Sequence, residues 1–174
     1  MIMDPITQPL RDEHHDLLPH VESLRLAGDA ITEPYYTPRA MRDLESASDF
    51  LMLQAMPHSH AEDEVLYPVI QRIMGTELAT AEMSREHVEI YKLANELAAV
   101  RQTITGTPIT EAQATNLRRI LYSLYAIIKL HLIKEEEIYF PLLDQSLSEE
   151  EATELFETME YSAQAARDHQ LQQA

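Results

Sequence analysis

Apolar residues recur along this chain at steps of three and four, the spacing of one helix face, over successive stretches. From about Gln8 to Ala27 the stripe is Leu10, His14, Leu17, Val21, Leu24. From Pro38 to about Met74 it reads Leu44, Ser48, Leu51, Ala55, His58, Glu62, Val65, Val69. A third stretch gives Met83, His87, Ile90, Ala94, Leu97, and a fourth gives Leu117, Leu121, Leu124, Ile128, His131, Glu135, Ile138, Leu142. The breaks between them carry turn chemistry: a loop over Gly28 to Thr37 with Pro34 and Tyr35-Tyr36, then Gly75-Thr76, then Thr105-Gly106-Thr107-Pro108. Thr37-Pro38 reads as an N-cap followed by proline in the first turn, and Thr110 with Gln113 as a capping box. Ser148 with Glu151 opens a short fifth helix, about residues 148–167, carrying Leu155, Phe156 and Met159, with Arg167 to Ala174 frayed. Pro19, Pro57 and Pro68 remove helix donors and predict kinks. No strand-like alternation is present. The pattern predicts an all-α fold: an up-down-up-down antiparallel four-helix bundle over about residues 8–145 with a short C-terminal fifth helix, one domain in 174 residues.

Six positions in those stripes are His or Glu where an apolar core residue is expected. The stretch His131-Leu-Ile-Lys-Glu135-Glu-Glu-Ile-Tyr-Phe-Pro141 places an imidazole and a carboxylate one helical turn apart on one face. His58-Ser-His-Ala-Glu62-Asp-Glu-Val-Leu-Tyr-Pro68 repeats the same order 73 residues earlier. The same offset pairs Glu13-His14 with Glu86-His87, so the chain reads as two diverged halves, each with one early His and one H-x3-E. In antiparallel hairpins, residues equidistant from a turn lie at one height. His14 and His58 flank Tyr36 evenly, His87 and His131 flank Ile109, and Glu62 and His87 flank Gly75. All six side chains are therefore expected in one layer.

Six buried polar groups in a layer are costly unless something satisfies them, and a metal does so at once. Imidazole plus carboxylate suits iron, zinc or manganese. Six donors exceed one tetrahedral zinc. They suit two ions, each taking two histidines and sharing both carboxylates. One oxo or hydroxo bridge would make five donors per ion and leave a position open for a small diatomic or peroxide. His60-Glu64 also has the spacing but lies on another helix face, and His15 is a rival to His14 that the stripe does not select. His20 and His169 read as solvated.

Bulk properties narrow the partners. A net charge of −17 disfavours nucleic acid and anionic membranes. The absence of cysteine removes disulfides, zinc–thiolate sites and iron–sulfur ligation. No signal-like N-terminus and no long apolar run is seen, so a cytoplasmic protein without membrane contact is expected. No protein partner is indicated.

Over about Leu10 to Leu143 the H…H-x3-E…H…H-x3-E constellation resembles the hemerythrin-like family, the HHE cation-binding domains. The resemblance implies a four-helix bundle with a non-haem di-iron centre, His14, His58, His87 and His131 as terminal ligands, and Glu62 and Glu135 as bridging carboxylates. It implies binding or reduction of dioxygen, nitric oxide or hydrogen peroxide, with a non-enzymatic iron or oxygen sensor, or iron-binding protein, as the alternative. Catalytic side chains beyond the ligands are not indicated. Oxygen-carrying hemerythrins have H-x3-H on the third helix and H-x4-D on the fourth. Here Tyr91 stands in place of the fifth histidine and Glu135 in place of the aspartate. Tyr91 could ligate iron, hydrogen-bond a bound oxygen species, or pack. A ferritin-like carboxylate oxidase would show E-x-x-H motifs, and no His here has Glu three residues before it.

Overall fold

A computed structural model of the chain describes residues 5–31, 37–104 and 108–173. The loop at Pro34 to Tyr36 and the break at Thr105 to Thr107 lie outside the described residues. Within them the chain is all-α, with no strand. Helix α1 spans Gln8–Ala30. A second helical stretch, unbroken over residues 38–74, consists of α2 (Pro38–Phe50), a π turn (Leu51–Ala55), α3 (Met56–Ala61), a second π turn (Glu62–Leu66) and α4 (Tyr67–Met74). A 3₁₀ turn (Glu77–Thr80) leads into α5 (Ala81–Gln102). Helix α6 (Glu111–Lys134) passes through a π turn (Glu135–Tyr139) into α7 (Phe140–Ser146), and α8 spans Glu149–Gln173.

The predicted caps are present. Thr37 accepts from the Ala40 amide, Thr110 and Gln113 form the reciprocal box, and Ser148 and Glu151 cap α8. Gly75 ends α4 at φ 71°, a left-handed conformation that glycine adopts without a Cβ clash. Gly28 does not open a loop as expected. It lies inside α1, where a Cβ would come within 2.8 Å of the Tyr122 ring, so its role is close approach between helices. Helix α1 runs through Pro19, which lies on its exposed face.

The expected stripes hold up to the two glutamates and then shift by one residue. After Glu62 the buried positions are Leu66 and Ile70 instead of Val65 and Val69. After Glu135 they are Tyr139 and Leu143, while Ile138 is exposed. A π turn holds one residue more than an α turn, which moves everything beyond it around the axis. Each π turn begins six residues before a proline: Leu51 before Pro57, Glu62 before Pro68, Glu135 before Pro141. Pro68 and Pro141 act through this register change rather than as simple kinks, whereas the stripe passes the first π turn, before Pro57, unshifted.

Paired contacts set the helix directions. Thr7 N donates to Asp144 at 2.9 Å at one end of α1, and Arg118 donates to the Ile31 carbonyl at 2.8 Å at the other, so α1 and α6–α7 run opposite ways. Helix α5 opposes α6 through Glu96–Arg119 at one end and Glu82–Lys134 at the other. Helix α8 is neither short nor frayed beyond Arg167. Met159 and Leu155 are buried, Ser162 donates to Glu64 at 2.8 Å, and Arg167 Nε donates to the Leu53 carbonyl at 2.8 Å. Leu53 lies four residues before Pro57, which has no N–H to offer it. The arginine satisfies the acceptor that the proline leaves.

The buried apolar residues form two clusters. One includes Leu17, Leu51, Ile90 and Ile128; the other includes Leu10, Ala61, Tyr67, Met83, Tyr139 and Phe140. His14, His58 and His87 each fall in sequence between members of the two, so a polar layer separates the apolar cores.

Candidate metal centre

The six stripe residues meet in that layer. His14, Glu62, His87, His131 and Glu135 are 0–2% exposed and His58 is 6% exposed. His14, His58, Glu62 and Glu135 bring one ligand atom each to within 4.8 Å of one another, as do Glu62, His87 and His131. Glu62 belongs to both groups, with one oxygen 2.9 Å from His58 Nε2 and the other 3.2 Å from His87 Nε2. Glu135 Oε2 lies 3.5 Å from His14 Nε2 and 3.7 Å from His131 Nε2. The His87 and His131 Nε2 atoms are 2.9 Å apart. Two of the three π turns start at the glutamates, so the extra residue lies just beyond each carboxylate and leaves its one-turn spacing from His58 or His131 intact.

Behind each histidine stands a carboxylate. Glu13 lies 2.9 Å from His58 Nδ1, Glu86 2.9 Å from His131 Nδ1, and Asp63 2.8 Å from His87 Nδ1. Glu136 lies 3.3 Å from His14 Nδ1 without a hydrogen bond to it. An acceptor on Nδ1 keeps the proton there and turns the Nε2 lone pair inward. These four acids obey the 73-residue repeat, Glu13 with Glu86 and Asp63 with Glu136. That offset could have revealed them from sequence. The repeat breaks at Tyr67, whose equivalent is Phe140. The Tyr67 hydroxyl donates to Glu135 Oε1 at 2.8 Å and lies 3.2 Å from His131 Nε2, whereas Phe140 packs on the His14 ring. No periodicity argument isolates Tyr67, because the π turn alone rotates it inward.

The remaining expectations are placed as follows. Tyr91 donates its hydroxyl to the Met56 carbonyl at 3.2 Å, so packing is the alternative its position favours, and Tyr67 is the tyrosine in contact with the layer. His60 and Glu64 pair at 3.2 Å on the exposed face. His15, His20 and His169 are exposed, with His20 stacked on Phe50.

Burial and crowding of like charge push these groups apart. Burial, with the Glu62 charge beside it, raises Glu135 to about 8. Burial works against protonated His131, but its bonds to Glu62 and Glu86 outweigh this and hold it at about 10. Burial and the neighbouring His58 charge lower His14 to about 3. His14 Nε2, His58 Nε2, Glu62 Oε2 and Glu135 Oε2 are buried and have no hydrogen-bond partner. Unpaired polar atoms of this kind cost free energy in a dry interior, and a cation is what deprotonated imidazole and carboxylate groups converging on one point would satisfy. The residues present fit a metal.

The hemerythrin HHE cation binding domain family matches residues 6–143. No curated relative and no solved structure matches the chain.

Proposed function

Because the chain belongs to the hemerythrin HHE cation-binding family, we propose that it is a non-haem di-iron protein that binds or reduces dioxygen, nitric oxide or hydrogen peroxide. The observation that carries this is Glu62, one carboxylate common to two groups of donors, an arrangement suited to two ions sharing a ligand. His14 and His58 would hold one iron, His87 and His131 the other, with Glu62 and Glu135 between them. When bound, an iron pair supplies one-electron redox steps and a position open to a small oxidant. In this reading residues 8–30, 38–74, 77–102 and 111–146 form an up-down-up-down bundle, supported by the opposed contacts along α1, α5 and α6.

The chain's own part is to orient, exclude and size. Glu13, Asp63 and Glu86 fix the imidazoles of His58, His87 and His131, Glu136 stands near His14, and Tyr67 fixes Glu135. Beside His58 and His131 lies a small cavity of about 10 Å³ walled by Leu17, Phe50, Ile90 and Leu132. That is room for roughly one water-sized molecule. A metabolite does not fit it. Among the described residues no helix is long and apolar enough to cross a membrane. With a net charge of −17, we take the protein to be cytoplasmic, with small molecules rather than nucleic acid or membrane as partners.

The depth of the site favours one other reading, a non-enzymatic iron or oxygen sensor or iron-binding protein, in which metal chiefly stabilises the fold. Metal analysis and the visible spectrum of aerobically purified protein test the centre. About two irons per chain, with near-ultraviolet absorption lost in His131→Ala, is the expected result. One zinc per chain, or no metal with an unchanged fold, overturns it. Peroxide consumption proportional to iron content would select the enzyme; none would select the sensor.

A further inference from the structure

Helix α8 lies beyond the matched segment, and it shapes the surroundings of one histidine. Arg167 and Ser162 tie it to the π turns at Leu51–Ala55 and Glu62–Leu66. Between α8, α1 and α3 remains an open cleft of about 670 Å³. Glu13, His58 and Ala61 line its inner end, and Glu157 and Glu160, both exposed, stand on its α8 wall. The exposures of two bonded neighbours, His58 and Glu13, place the layer's most open point here. His58 is the most exposed of the four histidines, at 6% against 0–2% for the others. Glu13 is the most exposed of the four carboxylates behind them, its side chain at 46% against 31% for Asp63, 20% for Glu86 and 38% for Glu136. The cleft holds three carboxylates and one cation, Arg167, which is engaged by Leu53 and Gln164.

We propose that this cleft is the uptake route for a divalent cation on its way to the histidine layer. The proposal rests on the metal-centre reading above. Low-dielectric walls focus the field of Glu157 and Glu160, which draws a hydrated cation into the cleft. Glu13 is the transfer point: it is reachable from solvent and bonded to His58 Nδ1 at 2.9 Å, one imidazole away from the converging Nε2 atoms. A cation can exchange water for the Glu13 carboxylate before it meets a buried ligand. The other three histidines offer no comparable approach, being closed off at 2% exposure or less.

The test mixes metal-free, full-length protein with cobalt(II) and follows its visible ligand-field absorption by stopped flow. Glu157→Gln with Glu160→Gln should slow uptake about fivefold at low ionic strength. The difference should shrink at high salt, where screening flattens the field. The final stoichiometry should be unchanged. Ala163→Trp, which obstructs the cleft without altering charge, should slow uptake at every salt concentration. A charge-matched control, Glu149→Gln with Glu150→Gln, lies off the cleft and should leave the rate as it was. Equal rates for the cleft variants and wild type, or equal slowing by the control pair, would overturn the route while leaving the centre intact. Failure of wild type to bind any cobalt would overturn the centre and the route together.

Discussion

Tyr67 and Glu135, 68 residues apart, meet through a 2.8 Å hydrogen bond from the hydroxyl to Oε1 in a fully buried setting. The bond leaves Oε2 as the only Glu135 oxygen turned to the histidines without a partner. It also makes the two halves unequal, because Phe140, the repeat counterpart of Tyr67, offers no donor to Glu62. Tyr67→Phe should leave a buried acceptor unsatisfied and destabilise the metal-free protein by about 1–3 kcal/mol. Tyr91→Phe removes a half-buried bond to a carbonyl that already serves a helix, and should cost about 1 kcal/mol or less. Urea titration of both variants, without metal, checks the order. A larger loss for Tyr91→Phe would contradict the placement of the two tyrosines.

The carboxylates behind the histidines should matter nearly as much as the ligands. Glu86→Gln can no longer hold the Nδ1 proton of His131 as a charged acceptor, and Glu13→Gln does the same to His58. Losing such a partner typically lowers metal affinity about 10–100-fold. The two variants occupy equivalent places in the repeat and should fall in the same range. Glu64→Gln, whose partners are His60 and Ser162 of α8 and not a histidine of the layer, should leave affinity unchanged. Competition against a chelator gives all three numbers on one scale.

Metal binding and protons should compete. At pH 7, without metal, Glu135 is held neutral below its raised value of about 8, and His131 stays protonated below about 10. Coordination needs carboxylate and neutral imidazole, so loading must release both protons. A pH indicator in weakly buffered solution should record acidification on metal addition, and apparent affinity should climb as pH rises through 8 toward 10. The sign for the metal-free fold is opposite. Both groups have folded values above their ordinary ones, so their contribution is fully present below the ordinary values and is lost as pH rises through 8 and then 10. The metal-free protein should therefore melt earlier at alkaline pH, and the loaded protein should not share that limb.

How far the sequence could be read depended on which physical signal each residue carried. The helices and the six-residue layer were legible because a step of three and four exposes a polar residue in an apolar stripe, and because a 73-residue offset repeats His14, His58 and Glu62 as His87, His131 and Glu135. The carboxylates at Glu13, Asp63, Glu86 and Glu136 obey the same offset, yet a stripe cannot show them, since they lie beside it. Gly28 reads as a loop opener by composition, and only the Tyr122 ring shows why a glycine belongs inside a helix. Helix α8 reads as short in the sequence because its exposed faces are polar almost throughout, and its anchor is a carbonyl freed by a distant proline, Pro57. Tyr67 was invisible for one reason only: regular periodicity has no place for an extra residue.

That extra residue yields the sharpest test of how the site is built. In the turn Glu135–Tyr139, Ile138 is 55% exposed, so its deletion removes little packing. Deleting it leaves four residues where the π turn had five, which is the content of an α turn. Tyr139 and Leu143 then fall three and seven positions after Glu135, where a regular helix presents one face, so the lower core keeps its contacts. Helicity by circular dichroism should stay near wild type. The aim of Glu135 should not survive, because the backbone that seats its carboxylate beside Tyr67 is the one that relaxes. Metal affinity should fall at least about tenfold, a loss of roughly 1.4 kcal/mol. A deletion variant that stayed folded and bound metal as tightly as wild type would show that the proline-closed π turn is a packing adjustment with no part in presenting the ligand.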